Sequence, residues 1–339
     1  MLFRSEGEVG TQVLRVNAQT QISEIKQARV DGEWNFDHGR FQFGVDTNKS
    51  TTHRIQAAEA YSTLGDWGVA NVDRDTAAGL MDLLQPVSIV GLFDDYSFSS
   101  WPAWRGDAGA LAQWAAAQYG VGLGVSPRNS ADNRVEEKTN AAYMQLSLEG
   151  ELGGMRTNTR IGVRYETTDI TSTSLIAIPE AIEWQSNNDF RIVLSDELEP
   201  YSERASYSYI LPNLDFSIDF TDQLKGRASF GKSIARAPYG NLYAGPGAQQ
   251  PTGSVLLDPS SRAQGNSQNP SLKPLESDNL DLALEWYFAN ASYLSVTYWT
   301  KSVNNFIGNT ITQEPLYGLR DPTSGPDAQA ALAFLLSPA

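Results

Sequence analysis

Alternation of apolar and polar side chains with a period of two constrains this chain more than any other feature. Such a period puts one kind of residue on each face of an extended strand, whereas a helix would mix them. The clearest run is Asp278 to Phe288, where Leu280, Leu282, Leu284, Trp286 and Phe288 share one parity and Asn279, Asp281, Glu285 and Tyr287, with Ala283, share the other. The same reading sets Ala28, Val30, Trp34 and Phe36 against Arg29, Asp31, Glu33 and Asn35. Past the turn Asp37-His38-Gly39, it sets Phe41, Phe43 and Val45 against Gln42, Gly44 and Asp46. A second hairpin joins Ala142, Met144, Leu146 and Leu148 to Ile161, Val163 and Tyr165. A third joins Leu214, Phe216, Ile218 and Phe220 to Leu224, Ala228 and Phe230 through Thr221-Asp222. Upstream, Tyr207, Tyr209 and Leu211 lie on the opposite parity, which predicts a β-bulge at Pro212-Asn213 within one bent strand. A fourth hairpin turns at Ala289-Asn290-Ala291 and continues through Leu294, Val296 and Tyr298, so the pattern predicts eight strands.

Alternation alone fits a soluble sandwich as well as a membrane barrel. The connections discriminate better. They run about 3, 76, 6, 30, 2, 41 and 3 residues, short alternating with long, whereas most loops of compact domains have a median of about 4–6. Tight turns at one rim and long loops at the other are the asymmetry of an outer-membrane barrel. Trp286 and Phe288 fall at the short-turn end of their strand, where an aromatic girdle would meet the lipid interface. The other face carries Arg160, Arg164, Lys225, Arg227, Asp281 and Glu285, which suits a wide wet lumen. Eight strands are too few to enclose one. The expected fold is therefore all-β: an incomplete antiparallel transmembrane β-barrel, about eight strands of a larger one, with long extracellular loops that carry short helices.

Composition narrows the function. Forty acidic against 25 basic residues give a formal charge of −15, which repels nucleic-acid phosphates and excludes nucleic acid as a partner. There is no cysteine, so disulfide frameworks and thiolate metal sites are excluded. The longest apolar stretch, Gly79 to Phe93, is interrupted by Asp82, Gln85, Pro86 and Ser88, well short of the ~20 apolar residues of a membrane-spanning helix. The first residues, Met1 to Gly7, lack the apolar core of a secretory signal.

Three stretches carry a family resemblance. Asn269-Pro270-Ser271-Leu272-Lys273-Pro274, followed by Glu276-Ser277-Asp278-Asn279-Leu280-Asp281 and Leu284-Glu285-Trp286-Tyr287-Phe288, resembles a motif of TonB-dependent outer-membrane receptors. Leu211-Pro212-Asn213-Leu214 through Phe220-Thr221-Asp222 to Ser233-Ile234-Ala235-Arg236-Ala237-Pro238 looks like the same family, as does Ala141-Ala142-Tyr143 through Gly150-Glu151-Leu152 to Gly162-Val163-Arg164-Tyr165. The resemblance covers residues 24–60 and 134–307. It implies a location in the outer membrane of a Gram-negative cell and a complete barrel of roughly 22 strands with a plugged lumen. Such a receptor actively imports a scarce solute, carbohydrate-like or iron-chelate, with energy relayed by TonB. The partners implied are outer-membrane lipid, a small solute, and TonB through a region absent from this chain. No enzymatic activity and no cofactor follow from it. No plug or TonB-contacting box is recognisable before Glu24, and Leu335 to Ala339 is no barrel-closing strand, so sequence missing at both ends is expected. All of residues 1–339 then belong to one barrel domain, with extracellular loops at 58–133 and 237–277.

Residues 65–132 hold eight aspartates against three arginines, with no lysine or glutamate, and four of the chain's eight tryptophans. Aromatic faces with carboxylates suit sugar rings or a cationic ligand, which makes Trp67, Asp94, Asp95, Trp101 and Trp104 the candidate ligand-binding residues. The competing reading folds the loop on itself as a cap, with Ala108 to Tyr119 helical and Leu111, Trp114 and Ala115 on its buried stripe. Gly240 to Ser277, rich in Gly, Pro, Ser, Gln and Asn, reads as an irregular, solvated connector.

Other chemistry fails on context. Gly226 to Ser233 has the spacing of a phosphate-binding P-loop, but a turn precedes it, Pro238 forbids a helix after it, and it alternates like a strand. Ile89 to Asp95, which loosely resembles the magnesium-binding partner, lies on the wrong side of it. His38 and His53 are the only histidines, and no Gly-x-Ser-x-Gly elbow appears, so neither a hydrolase triad nor a metal site is expected and both histidines read as surface residues. Two alternatives to the receptor remain from the residues: a soluble extracellular β-sandwich that binds glycans through the tryptophan-rich loop, and an outer-membrane hydrolase.

Overall fold

Valine, isoleucine, threonine and aromatic residues at alternate positions favour a pleated surface, and the computed structural model is built on that preference. It describes residues 10–11, 13–64, 75, 78–88, 102–186, 189–249, 251, 263–315, 317–321 and 323–337. In chain order the strands are β1 (Val13–Val16), β2 (Gln19–Phe36), β3 (Gly39–Ala57), β4 (Ala60–Thr63), β5 (Leu84–Ser88) and β6 (Pro102–Gly106). After helix α1 (Ala108–Tyr119) come β7 (Asn129–Leu152), β8 (Met155–Ser186), β9 (Asp189–Asp219), β10 (Leu224–Ala235), β11 (Gly247–Gln249), β12 (Gln264–Asn266), β13 (Leu275–Ala289), β14 (Ser292–Asn304) and helix α2 (Pro326–Leu335).

The chain divides into two units. The larger comprises Gln21–Arg54 and Asp132–Ala339. Its frame is an eight-stranded sheet of order β14-β13-β10-β9-β8-β7-β3-β2, with β2 and β14 as open edges. The ladders β7–β8, β8–β9, β9–β10, β10–β13 and β13–β14 are all antiparallel. The two faces are chemically opposite, as the alternation requires. On the outward face, Val30 and Trp34 are 71% and 68% exposed, and Leu284 and Val296 are 47% and 67% exposed. Among the described residues no second layer of polypeptide seals them, which disfavours the β-sandwich alternative. Near the tight turns, aromatic pairs crowd this face: Trp34 with Phe36, Phe41 with Phe43, and Trp286 with Phe288, at ring separations of 6.4, 5.7 and 5.3 Å.

The register corrects the sequence reading in three places. Between Thr157↔Ile218 and Ala177↔Leu198 the β8–β9 ladder runs without a slip, with Pro212 opposite Val163. There is thus no bulge at Pro212-Asn213; Tyr207, Tyr209 and Leu211 simply face inward while Ile210, Pro212 and Leu214 face outward. The fourth link, expected as a loop of about 30 residues, is instead the continuation of β8 and β9 as one long hairpin. The connector before β13 is not solvated throughout: Leu242 and Ala244 are 1% and 2% exposed, Pro270 and Pro274 are fully buried, and the strand starts at Leu275.

The smaller unit comprises Met1–Thr20 and Ile55–Ala131. Here β1 pairs with β4 and β5 with β6, each antiparallel. Helix α1 occupies the expected residues because Asp107 caps it, accepting from the Ala110 amide at 2.8 Å, and Gly120 ends it in the left-handed conformation at φ 67°. Ala115 is buried, and Leu111 and Trp114 are half-buried.

Candidate functional site: the polar inner face

Inward positions of the large sheet hold charge, and charge taken from water needs partners. Close to the tight turns, Arg29 donates to Asp31 at 2.9 Å and to the Tyr143 hydroxyl at 3.1 Å, while Tyr143 donates to Asp31 at 2.6 Å. Arg164 bridges Asp46 at 2.6 Å and Glu166 at 3.0 Å, two carboxylates with side chains only 7% and 8% exposed. Lys225 pairs with Asp219 at 3.1 Å and Arg227 with Glu285 at 2.9 Å. A cavity of about 820 Å³ opens among these groups, lined by Arg40, Glu149, Arg160, Asp215, Arg227 and Asp281. Gly226 to Ser233, the P-loop lookalike, is strand β10 throughout.

Further from the turns, the inner face meets the segment that follows β10. Arg236 donates to Glu166 and, at 3.3 Å, to the Thr139 hydroxyl, which lies 3.0 Å from that of Thr168. The Tyr239 and Ser50 hydroxyls are 2.7 Å apart. Beside them, Val135, Ile170 and Leu242 form a small apolar core, flanked by Tyr207, Tyr239, Tyr243 and Leu272. The Ala244 amide donates to Ser172 Oγ at 2.8 Å, and Ser174 Oγ donates to the Ala244 carbonyl. Glu137 is 6% exposed, and its Oε1 has no hydrogen-bond partner among the described residues. Burial raises the hydroxyl of Tyr239, in the segment after β10, above its ordinary value.

Of the five candidate ligand-binding residues, Trp67, Asp94, Asp95 and Trp101 lie outside the described residues. Trp104 sits in β6 opposite Pro86, half-buried. Elsewhere in the small unit, the Trp114 indole donates to the Ala78 carbonyl at 3.0 Å, and fully buried Asp75 accepts from the Thr11 amide and hydroxyl, each at 2.6 Å, and from the Tyr119 hydroxyl. His53 is no plain surface residue: its Nε2 lies 2.7 Å from Asp132, with a side chain 35% exposed. Among the described residues no cluster of His, Asp and Glu could hold a metal ion. The Glu137–Arg236–Glu166 cluster was missed from sequence, although parity could have found it: Glu137 shares the inward parity of Tyr143, and Arg236 stands in a stretch carrying the resemblance.

A sequence profile for the family described as "TonB dependent receptor-like, beta-barrel" matches residues 7–329. Among solved structures, the siderophore receptor PiuA from Acinetobacter baumannii is similar, with 11% identity and a TM-score of 0.40 over 84% of this chain and 32% of that one. The chain thus spans about a third of that receptor's length. No curated protein matches it.

Proposed function

Because the chain belongs to the TonB-dependent receptor β-barrel family, whose members are transporters of the Gram-negative outer membrane, we propose that it forms part of the wall of a receptor that imports a scarce solute, carbohydrate-like or iron-chelate, with energy from TonB. One observation carries this reading beyond the family match: the sheet is apolar and exposed on one face and charged and paired on the other. Lipid outside and a wet, solute-conducting interior ask for that division. Segments 58–133 and 237–277 are then extracellular. Trp104, together with Trp67, Trp101, Asp94 and Asp95, contacts the solute by stacking and hydrogen bonding.

Uptake tests the reading. Deleting the full-length gene from its host should abolish energy-dependent uptake of one class in a panel of labelled iron chelates and oligosaccharides, and removing TonB should do the same. Unchanged uptake of the whole panel, or recovery of the protein in the soluble fraction, defeats it. Trp104→Ala should raise the half-saturating solute concentration severalfold with little change in maximal rate.

A further inference from the structure

Three strands of the large sheet stop at one level. Ala235, at the end of β10, pairs with Leu275, and Glu276 pairs with Asn304, at the end of β14. β9 continues past that level. β10 covers it only from Asn213 to Asp219, so from Asp189 to Pro212 the edge of β9 away from β8 has no strand partner among the described residues. A long bare edge is a template for another strand. After β14, residues 305–315 belong to no helix or strand and are exposed throughout, with Phe306 at 76% and Ile311 at 97%. Both ends of this segment are held against one stretch of β9. Asn305 donates to the Pro274 carbonyl at 3.1 Å and hydrogen-bonds the Tyr209 hydroxyl. Tyr317 donates to the Pro246 carbonyl at 2.6 Å and interacts electrostatically with Tyr201. Both tethers have left-handed backbones, at φ 62° and 50°, where the chain turns sharply. Between them the segment runs from Tyr209 towards Tyr201, opposite in sense to β9.

We propose that residues 306–313 are a strap that docks on the bare edge of β9 as an added antiparallel strand and closes the notch in the sheet above β10 and β13. The lower tether sets the register. With Asn305 level with Tyr209, Ile307 stands opposite Tyr207, Asn309 opposite Ala205 and Ile311 opposite Glu203, whose carboxylate already accepts from Tyr201 at 2.9 Å. Thr310 and Thr312 stand opposite Arg204 and Ser202. The isoleucines then fall on the inner face, where Ala205 and Tyr207 flank the core of Val135, Ile170 and Leu242, and the threonines fall on the polar outer one. Docking takes two exposed isoleucines out of water and gives two unpaired rows of backbone groups their partners in one step. Pro315, which has no amide to donate, ends the strap.

This chain has no cysteine, so cysteine pairs can be placed in the full-length protein, oxidised in isolated membranes, and their cross-linked peptides counted by mass spectrometry. Ser202→Cys/Thr312→Cys, which the register sets face to face, should cross-link severalfold more than Ser202→Cys/Gln313→Cys, whose side chains point to opposite faces. Hydrogen exchange gives the second measurement. Amides of residues 201–208 should exchange about tenfold more slowly in the unsubstituted protein than in Ile307→Asp/Ile311→Asp, and Ile307→Val/Ile311→Val should keep the protection. Both isoleucines are exposed before docking, so the aspartates leave the sheet itself intact. Equal cross-linking of the two cysteine pairs, or equal exchange with and without the aspartates, overturns the strap. Neither result bears on the transport reading, which the uptake experiment tests separately.

Discussion

Glu137 is the residue whose chemistry is most at odds with its surroundings. It is 6% exposed, and one carboxylate oxygen lacks a partner among the described residues. Burying an unpaired carboxylate oxygen costs free energy that a neutral amide of the same shape bears more lightly. Glu137→Gln removes the charge and keeps the shape. It is expected to stabilise the receptor by about 1–3 kcal/mol. Denaturant midpoints of the two proteins check the expectation, and a loss of stability would mean that the carboxylate is held by its neighbours and not strained by its burial.

The strands were legible in the sequence to the extent that their two faces differ. Leu280, Leu282 and Leu284 against Asp281 and Glu285 left no choice of period, and β13 and β14 follow it. The upper halves of β8 and β9 were illegible because both faces there are polar: Thr167, Asp169 and Thr171 face outward, and Thr168 and Ser172 inward. Threonine favours a strand but announces no period. The apparent phase slip at Pro212 had a related cause. The apolar parity moves to Tyr207 and Tyr209 because the inner face there covers the Arg236 cluster, a long-range demand that no local pattern encodes. Leu242 was hidden for the same reason, since its burial depends on Val135 and Ile170, far away in sequence. The candidate site was less legible than the fold: Trp104 is the one candidate with a described position, and the buried charge cluster had to be seen in register. The belt itself makes an element-scale prediction. Leu284→Arg, midway up the apolar face, should destabilise the inserted barrel by about 2–4 kcal/mol, whereas Thr171→Arg, on the same face above the belt, should be nearly neutral. Urea titration in lipid vesicles separates the two, and equal costs would mean that the apolar face does not meet lipid.

At the scale of the whole molecule, the open edges dominate. Among the described residues β2 and β14 are each paired on one side only, and a bilayer offers no partner for a free row of amides and carbonyls. Two resolutions are available to an eight-stranded sheet: its edges can join each other, or each can join further strands. An eight-stranded barrel has an interior just wide enough for side chains to fill. The inward face here carries Arg29, Tyr143, Arg160 and Arg164, the Asp219, Asp281 and Glu285 carboxylates, and Trp299 opposite Asp281. Such a set crowds a narrow bore, and the folded-in segment around Leu242 needs space as well. The edges should therefore pair with strands from a longer chain. Targeted to the outer membrane alone, residues 1–339 should give no band that migrates faster unheated than boiled, and proteases should digest them. A longer chain that supplies strands to both edges should give a resistant, heat-modifiable barrel. If the 339-residue chain closes by itself, β2 against β14, the inner face must repack into a solid core, and Arg29, Arg160 and Arg164 would lose the wet interior on which the transport reading depends.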